Sequence, residues 1–131
     1  MTRVRSFRDL IAWQRGMELA QAVYEMTERM PEAERFGLTV QMRRAAVSVP
    51  SNIAEGYARQ SRRDYIKYLR IARGSLAELT TQLELARRLK MVITSRTFKG
   101  LIREEERILQ ALIMSLEKKE QEERRAAKRN T

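Results

Sequence analysis

Apolar residues recur every three or four positions through most of this chain, which is the period of an amphipathic helix. From Asp9 to Arg29 the spacing produces two apolar seams, and together they cover more than the roughly 100° stripe that a surface helix needs. The first predicted helix therefore has more apolar surface than one bundle core requires, and Pro31 ends it. One seam contains Leu10, Trp13, Met17, Ala20 and Tyr24, and the other contains Ala12, Gly16, Leu19, Val23, Met26 and Met30.

A second helix is predicted to begin near Leu38 or Thr39, after a connector that has room for one helical turn. Its apolar seam keeps the same phase on both sides of Pro50, which favours one helix kinked at Pro50. The alternative is a new helix after the proline, because Asn52 followed by Glu55 fits a helix cap. That helix would last under two turns, so the single kinked helix is preferred.

Two further helices complete the predicted fold. Ser61 with Asp64 caps the third helix, which runs to about Leu89, and the fourth begins near Arg96 after a cap at Thr94 or Ser95. Short connectors favour antiparallel neighbours, so the prediction is an all-α, up-down-up-down four-helix bundle. The bundle is predicted to span residues 1–116, and residues 117–131 a charged helical extension that frays into a basic tail.

Composition narrows the function classes. Charged residues make up 34% of the chain, and it contains no cysteine and no histidine. Disulfides, zinc sites built on Cys or His, and Ser-His or Cys-His nucleophile pairs are therefore excluded. No apolar run approaches the roughly 18 residues of a membrane span, and no signal peptide is recognisable. We expect a cytoplasmic protein with no cofactor, no metal and no membrane contact.

The net charge of +10 is unevenly distributed. Residues 59–73 hold six bases and one acid, giving +5 within 15 positions. Such a field favours anionic partners, and a stripe that faces away from the core could contact phosphates. An ordinary solvated face is the alternative, since charge runs usually have that role. The candidate nucleic-acid-binding residues are Arg59, Arg62, Arg63, Lys67, Arg70 and Arg73, and the next candidates are the tail bases Arg124, Arg125, Lys128 and Arg129.

Polar residues also interrupt the second apolar seam. Asn52 falls on the seam and Glu55 borders it, and Glu78 of the third helix is a candidate partner for them. A carboxylate metal site lacks the histidines of di-iron bundles, and a paired-carboxylate catalytic site has no other support. The preferred interpretation is a structural network, in which a buried Asn needs a hydrogen-bond partner.

Small residues on the outer faces predict self-association. Gly74 projects away from the core, although a glycine inside an exposed helix costs about 1 kcal/mol relative to alanine. A second packing surface for another subunit would explain it, whereas scattered surface apolar residues are the common alternative. The candidate oligomer interface consists of Gly74, Ala77 and Thr81 on the third helix and Val40, Val47 and Ala54 on the second.

Three segments resemble a known family: "FRDLIAWQRGMELAQAVYEMT", "FGLTVQMRRAAVSVPSNIAEGYAR" and "YIKYLRIARGSLAELTTQLELA". They are similar to the four-helix bundle proteins encoded in intervening sequences of bacterial 23S ribosomal RNA genes, and more distantly to accessory proteins of diversity-generating retroelements. The resemblance implies a homopentameric ring without enzymatic activity and, for the retroelement relatives, binding of nucleic acid and a reverse transcriptase. It assigns an architectural role to Asn52, Glu55, Gly56, Gly74, Ser75 and Glu78.

Two hypotheses of function follow, with a third far behind. The first is a homo-oligomeric, non-enzymatic bundle that binds RNA or DNA through backbone phosphates, with weak contacts added by multivalency. The second is a protein-interaction scaffold or accessory subunit, for example of a reverse transcriptase, without direct nucleic-acid binding. The third is an enzyme that uses Glu55 and Glu78.

Overall fold

The computed structural model describes residues 3–130, so the outermost ends of the predicted bundle and tail, Met1, Thr2 and Thr131, lie outside the described residues. Four α-helices form the fold, and no strand occurs within residues 3–130. Their bounds are α1 Ile11–Thr27, α2 Leu38–Ala58, α3 Arg62–Arg88 and α4 Arg96–Arg129. The all-α prediction is confirmed.

The first helix is shorter than its sequence pattern predicts. A 3₁₀ turn, Phe7–Asp9, precedes it, and the side chains of Ser6 and Asp9 cap that turn reciprocally. Leu10 then adopts an extended backbone with φ −76° and ψ 126°, which separates the turn from α1. The predicted start at Asp9 therefore belongs to the capped turn. A second 3₁₀ turn, Glu32–Glu34, occupies the connector where one helical turn was expected.

The second helix is continuous through Pro50, so it does not restart at Asn52. Pro50 is buried and so are Val49 and Ile53 around it, which means that tertiary packing supports the helix at this point. Proline has no N–H, and the carbonyl of Ala46 therefore lacks its usual helical donor. The angle of the bend at Pro50 stays a prediction.

Helices that follow one another in the chain pack against each other, and α4 also packs against α1. Neighbours run antiparallel: Ser48 near the middle of α2 contacts Ser75 of α3, while Gly56 near the end of α2 lies against Tyr65 and Tyr68 near the start of α3. The core is formed mainly by Leu, Val, Ile, Met and Ala from all four helices. This is an up-down-up-down bundle.

The caps of α3 and α4 are the predicted serines. Ser61 Oγ accepts a hydrogen bond from the backbone N–H of Asp64 at 3.3 Å, and Ser95 Oγ accepts one from Phe98 at 3.0 Å. These bonds satisfy amide donors that the first turn of a helix leaves free. The last helix continues to Arg129, and its residues 121–130 are exposed, so helical structure extends further into the predicted tail than its composition suggests.

Candidate nucleic-acid interface

The basic stretch of α3 begins at its capped N-terminus and follows the outer side of the helix. Arg63, Lys67, Arg70 and Arg73 are exposed, and the buried seam of the helix lies on the other side. Among residues 3–130, Arg63, Lys67 and Arg73 make no ion pair with a carboxylate. Three cations of the stripe are therefore directly available to an anion in solution. The opposite seam includes Leu69, Ala72, Leu76 and Leu79.

Acidic residues of α4 compensate other parts of this stripe. Arg70 Nη2 lies 2.5 Å from Glu117 Oε2, and Arg62 Nη1 lies 2.7 Å from Glu123 Oε2 and 3.3 Å from Glu120 Oε1. The side chain of Arg62 is only 28% exposed as a result. The hydrogen bond from Arg62 lowers the pKa of Glu123, so this carboxylate is ionised at neutral pH. The local excess of positive charge is smaller than residues 59–73 alone indicate.

Arg59 is also engaged, although within its own region of the chain. Its guanidinium contacts Glu55 Oε1 at 2.8 Å and donates to the hydroxyl of Tyr68 at 2.8 Å. Both Arg59 and Lys67 lie over the ring of Tyr68, with centroid distances of 5.2 and 5.8 Å. These cation–π contacts hold two basic groups beside one aromatic side chain. Tyr68 thus orders the edge of the stripe nearest the turn between α2 and α3.

A groove of about 440 Å³ separates the start of α3 from the second half of α4. Its walls carry both signs of charge, and a phosphate entering it would meet four bases while competing with three carboxylates. The groove can therefore bind an anion when a basic side chain of α3 leaves its carboxylate partner on α4 and pairs with the anion instead. Its charged lining residues are Arg63, Asp64, Lys67, Arg70, Glu117, Glu120 and Arg124.

The predicted polar network has different partners from those expected. Asn52 Nδ2 donates to the carbonyl and the hydroxyl of Ser48, both at 2.8 Å, and Ser48 Oγ lies 2.8 Å from Ser75 Oγ of α3. Asn52 thus joins a small polar link between α2 and α3 that was not predicted from the sequence, because Ser48 was not among its candidate partners.

The two carboxylates assigned to the same network lie elsewhere. Glu55 is exposed and pairs with Arg59, while Glu78 is exposed and accepts a hydrogen bond from Gln82 at 3.1 Å. The structure therefore does not bring Asn52, Glu55 and Glu78 together. No group of three or more acidic side chains within residues 3–130 could hold a metal ion.

The candidate oligomer interface lies at the surface of the single chain. A Cβ added at Gly74 would meet nothing within 4 Å, and Ala77 and Thr81 are exposed beside it. On α2, Val47 is exposed whereas Val40 and Ala54 are half-buried. All six candidate positions are thus outside the core or at its margin.

Larger apolar side chains accompany Val40 and Val47 on this side of the molecule. Phe36 is 86% exposed, and Tyr24 of α1 is 43% exposed. They border a groove between α1 and α2 that also includes Arg43 and Arg44. Of the outer seam predicted for α1, only Met17 and Tyr24 are exposed, and the rest of that seam packs on the core.

One buried group was missed by sequence reasoning. Glu105 of α4 is fully buried, and neither of its carboxyl oxygens has a hydrogen-bond partner in the structure. Burial raises the pKa of Glu105 to about 8. The signal was present, because the inward seam of α4 passes from Ile102 to Leu109 and its helical spacing places residue 105 between them.

The helices and their surfaces define the class: an all-α four-helix bundle with a basic, partly compensated stripe and exposed apolar faces. Within residues 3–130 there is no helix long and apolar enough to cross a membrane. The family model for the 23S rRNA-intervening sequence protein matches residues 8–114. The chain belongs to this family.

A solved structure shares this fold. A protein of unknown function from the S23 ribosomal protein family of Bacteroides thetaiotaomicron VPI-5482 is 26% identical, with a TM-score of 0.69. The match covers 79% of this chain and 96% of that one. No curated protein matches the sequence. The similarity confirms the family and the bundle, and the relative's own function is unknown.

Proposed function

We propose that this chain is a non-enzymatic, homo-oligomeric helical bundle that binds nucleic acid through contacts with backbone phosphates. The observation that carries the proposal is the exposed stripe on α3, where Arg63, Lys67 and Arg73 have no carboxylate partner among the described residues. Phosphate contacts of this kind are independent of base sequence. We therefore expect little preference for one sequence over another.

Self-association supports the proposal, because repeated copies of a weak site add their contacts. The apolar groove between α1 and α2 and the open face around Gly74 are the surfaces that we assign to neighbouring subunits. The family resemblance makes a pentamer the expected assembly. Light scattering tests it: a monomer mass near 15.4 kDa at micromolar concentration would overturn the oligomer.

The non-enzymatic part of the proposal rests on how the carboxylates are used. Glu55 and Glu78, the pair considered for catalysis, make separate surface contacts with Arg59 and Gln82. A general acid and base must both reach the reacting group within hydrogen-bond distance, and this pair has no common partner. We propose a binding role in the cytoplasm.

The test is binding of fluorescently labelled RNA and DNA at increasing salt. A variant with Arg63, Lys67 and Arg70 changed to Gln should lose affinity and flatten the salt dependence, because each lost phosphate contact removes nearly one unit of the logarithmic slope. The matched control changes Lys99, Arg103 and Arg107 of α4 to Gln, which removes the same charge from another exposed surface.

Three outcomes separate the hypotheses. Weaker binding by the stripe variant alone supports the proposed site. Equal loss of affinity in both variants would show that net charge, and not the stripe, determines binding. Truncation after Glu123 would then test the tail bases. A parent protein that never binds, even at low salt, overturns nucleic-acid binding.

The second candidate function is a protein-interaction scaffold or accessory subunit, for example for a reverse transcriptase. The groove beside Phe36 favours it, because so exposed an aromatic side chain next to an apolar groove is a common feature of protein-binding surfaces. A folded, oligomeric protein that lacks affinity for RNA and DNA while retaining this surface would support the scaffold.

A further inference from the structure

Glu105 differs from every other ionisable side chain within residues 3–130, because it alone is fully buried. Its two oxygens accept no hydrogen bond from the protein. An ionised carboxylate without donors is strongly disfavoured in an apolar interior, whereas the neutral acid costs far less to bury. The surroundings therefore select the protonated form.

Three helices meet around Gly16 of α1. A Cβ added at Gly16 would lie 2.8 Å from Glu105 Oε2, 3.3 Å from Pro50 Cβ and 3.4 Å from Pro50 N. The carboxyl group thus occupies space that a glycine leaves open, and the proline of α2 borders the same space. An alanine at position 16 would require the carboxyl group of Glu105 to move.

The charged groups near Glu105 do not neutralise it. Glu104 raises the pKa of Glu105 and Arg15 lowers it, but both effects are smaller than that of burial. The guanidinium of Arg15 is already engaged: Nε lies 2.8 Å from Glu104, and Nη1 lies 2.8 Å from Glu18. Its positive charge is therefore directed toward the surface.

The other two helices bring no buried ionisable side chain to the site. Arg44 and Glu55 on α2 are exposed, and so is Glu78 on α3. The buried polar side chain of α3 is Gln82, whose amide group donates to Glu78. The protonation state of Glu105 is thus controlled by packing from all sides.

We propose that Glu105 is a proton-controlled latch between α1, α2 and α4. As a neutral acid it fills the gap at Gly16 without burying a charge in the core. Loss of its proton to solvent places an unpaired carboxylate in the core, so Arg15 must leave Glu104 or the helices must separate. The bundle is therefore built to loosen in weakly alkaline solution. This proposal does not depend on nucleic-acid binding.

The direction of the pH effect follows from linkage. The pKa of Glu105 is raised from 4.5 in the unfolded chain to about 8 in the bundle. Below the lower value both states hold the proton, and above the higher value neither does. Between them only the folded state holds it, so the folding equilibrium constant should fall by about tenfold for each unit of rising pH.

The sequence makes this window easy to observe. The chain has no histidine and no cysteine, so few other groups titrate between about pH 5 and 8. The amino terminus does, but it is common to all variants. Urea unfolding at fixed protein concentration, from pH 5 to pH 9, should show the parent losing stability across the window and levelling off above about pH 8.

Two substitutions test the proton itself. Glu105→Gln keeps a polar donor that cannot ionise, so we expect a folded variant with a flat profile. Glu106→Gln, at an exposed neighbouring position, should retain the slope of the parent. A flat parent profile, or the same slope in Glu105→Gln, would overturn the latch. If the Gln variant fails to fold, the infrared carbonyl band of a protonated carboxyl in the folded parent at pH 7 decides: its presence supports the proposal and its absence overturns it.

Discussion

The two halves of α4 place the same acidic side chain in opposite surroundings. Glu105, in the first half, is enclosed by the bundle, and burial raises its pKa to about 8. Glu123, in the second half, lies beside Arg62 in solvent, and the hydrogen bond between them lowers its pKa. Position relative to the core therefore decides whether a glutamate of this helix holds a proton or a charge.

The same contrast separates side chains that support the packing of the bundle from side chains that adjust its surface charge. Around Glu105 the helices approach closely enough to exclude water, so a polar group there affects packing first. Around Glu117, Glu120 and Glu123, ion pairs connect α3 to α4, and water screens them. These acids therefore affect which bases of α3 a partner can reach. A substitution should accordingly change stability in the first region and ligand affinity in the second.

Substitutions at two glycines should give the largest changes in stability and so test this contrast. A Cβ at Gly56 would lie 2.6 Å from Tyr68 Cβ and 3.3 Å from the carbonyl oxygen of Tyr65, whereas one at Gly74 would meet nothing within 4 Å. Gly56→Ala should destabilise the bundle by up to about 3 kcal/mol, the upper part of the range for overpacking. Gly74→Ala should stabilise the single chain by about 1 kcal/mol through helix propensity.

Chemical unfolding of both variants measures the difference. Equal stability of Gly56→Ala and the parent would show that α2 and α3 are not in close contact at this point. The bulkier Gly74→Leu adds a separate prediction: it should weaken assembly in light scattering while leaving helical content unchanged.

Asn52 is expected to have an intermediate effect. Asn52→Leu removes two hydrogen bonds to Ser48 but leaves the contact between Ser48 and Ser75 in place. We expect a loss of about 1 kcal/mol, retained helical content and less uniform assembly. Thermal melting with circular dichroism and light scattering check this. Normal assembly with an unchanged or higher melting temperature would contradict a role of Asn52 in specificity.

Removing the acids of α4 should have the smallest effect on stability. Changing Glu117, Glu120 and Glu123 to Gln breaks surface ion pairs, each of which contributes no more than about 1 kcal/mol. Nucleic-acid affinity at low salt should rise several-fold, because Arg62 and Arg70 become available to phosphates. Binding of fluorescently labelled RNA and DNA, as in the salt series above, measures the change in affinity.

A variant with Glu25, Glu28 and Glu106 changed to Gln is the matched control, since it makes the same charge change away from the stripe. Similar gains in both variants would assign the effect to net charge. No gain in either would show that the α4 acids do not limit access to α3.

Helical periodicity predicted most of the fold. The three- and four-residue spacing of Leu69, Ala72, Leu76, Leu79 and Leu83 predicts one apolar face, and these residues are buried. The serine caps are where their local sequence placed them. Features of this kind depend on residues a few positions apart, so a single helix encodes them. Helical spacing also places Gly56 on the inward-facing seam of α2, where the missing side chain permits the close approach of α3.

Contacts between distant helices could not be predicted in the same way. Arg70 and Glu117 are 47 positions apart, so their pairing depends on the relative register of α3 and α4. The net charge of +5 for residues 59–73 is correct as a count. The acidic residues that reduce its effect come from α4, so the segment alone does not reveal them. Glu105 was overlooked because a glutamate among charged neighbours resembles a solvent-facing residue, although its seam position was visible.

The most direct test of the contrast within α4 is a carbon-detected NMR titration of its glutamate side chains. A single experiment on protein with ¹³C-labelled Glu follows the carboxyl carbons of Glu105 and Glu123 from acid to alkaline pH. We predict that Glu105 titrates near pH 8 and that Glu123 titrates below the ordinary value of 4.5. Titration of Glu105 near 4.5 in the folded protein would contradict the account, because its carboxyl group would then have access to water or to a donor.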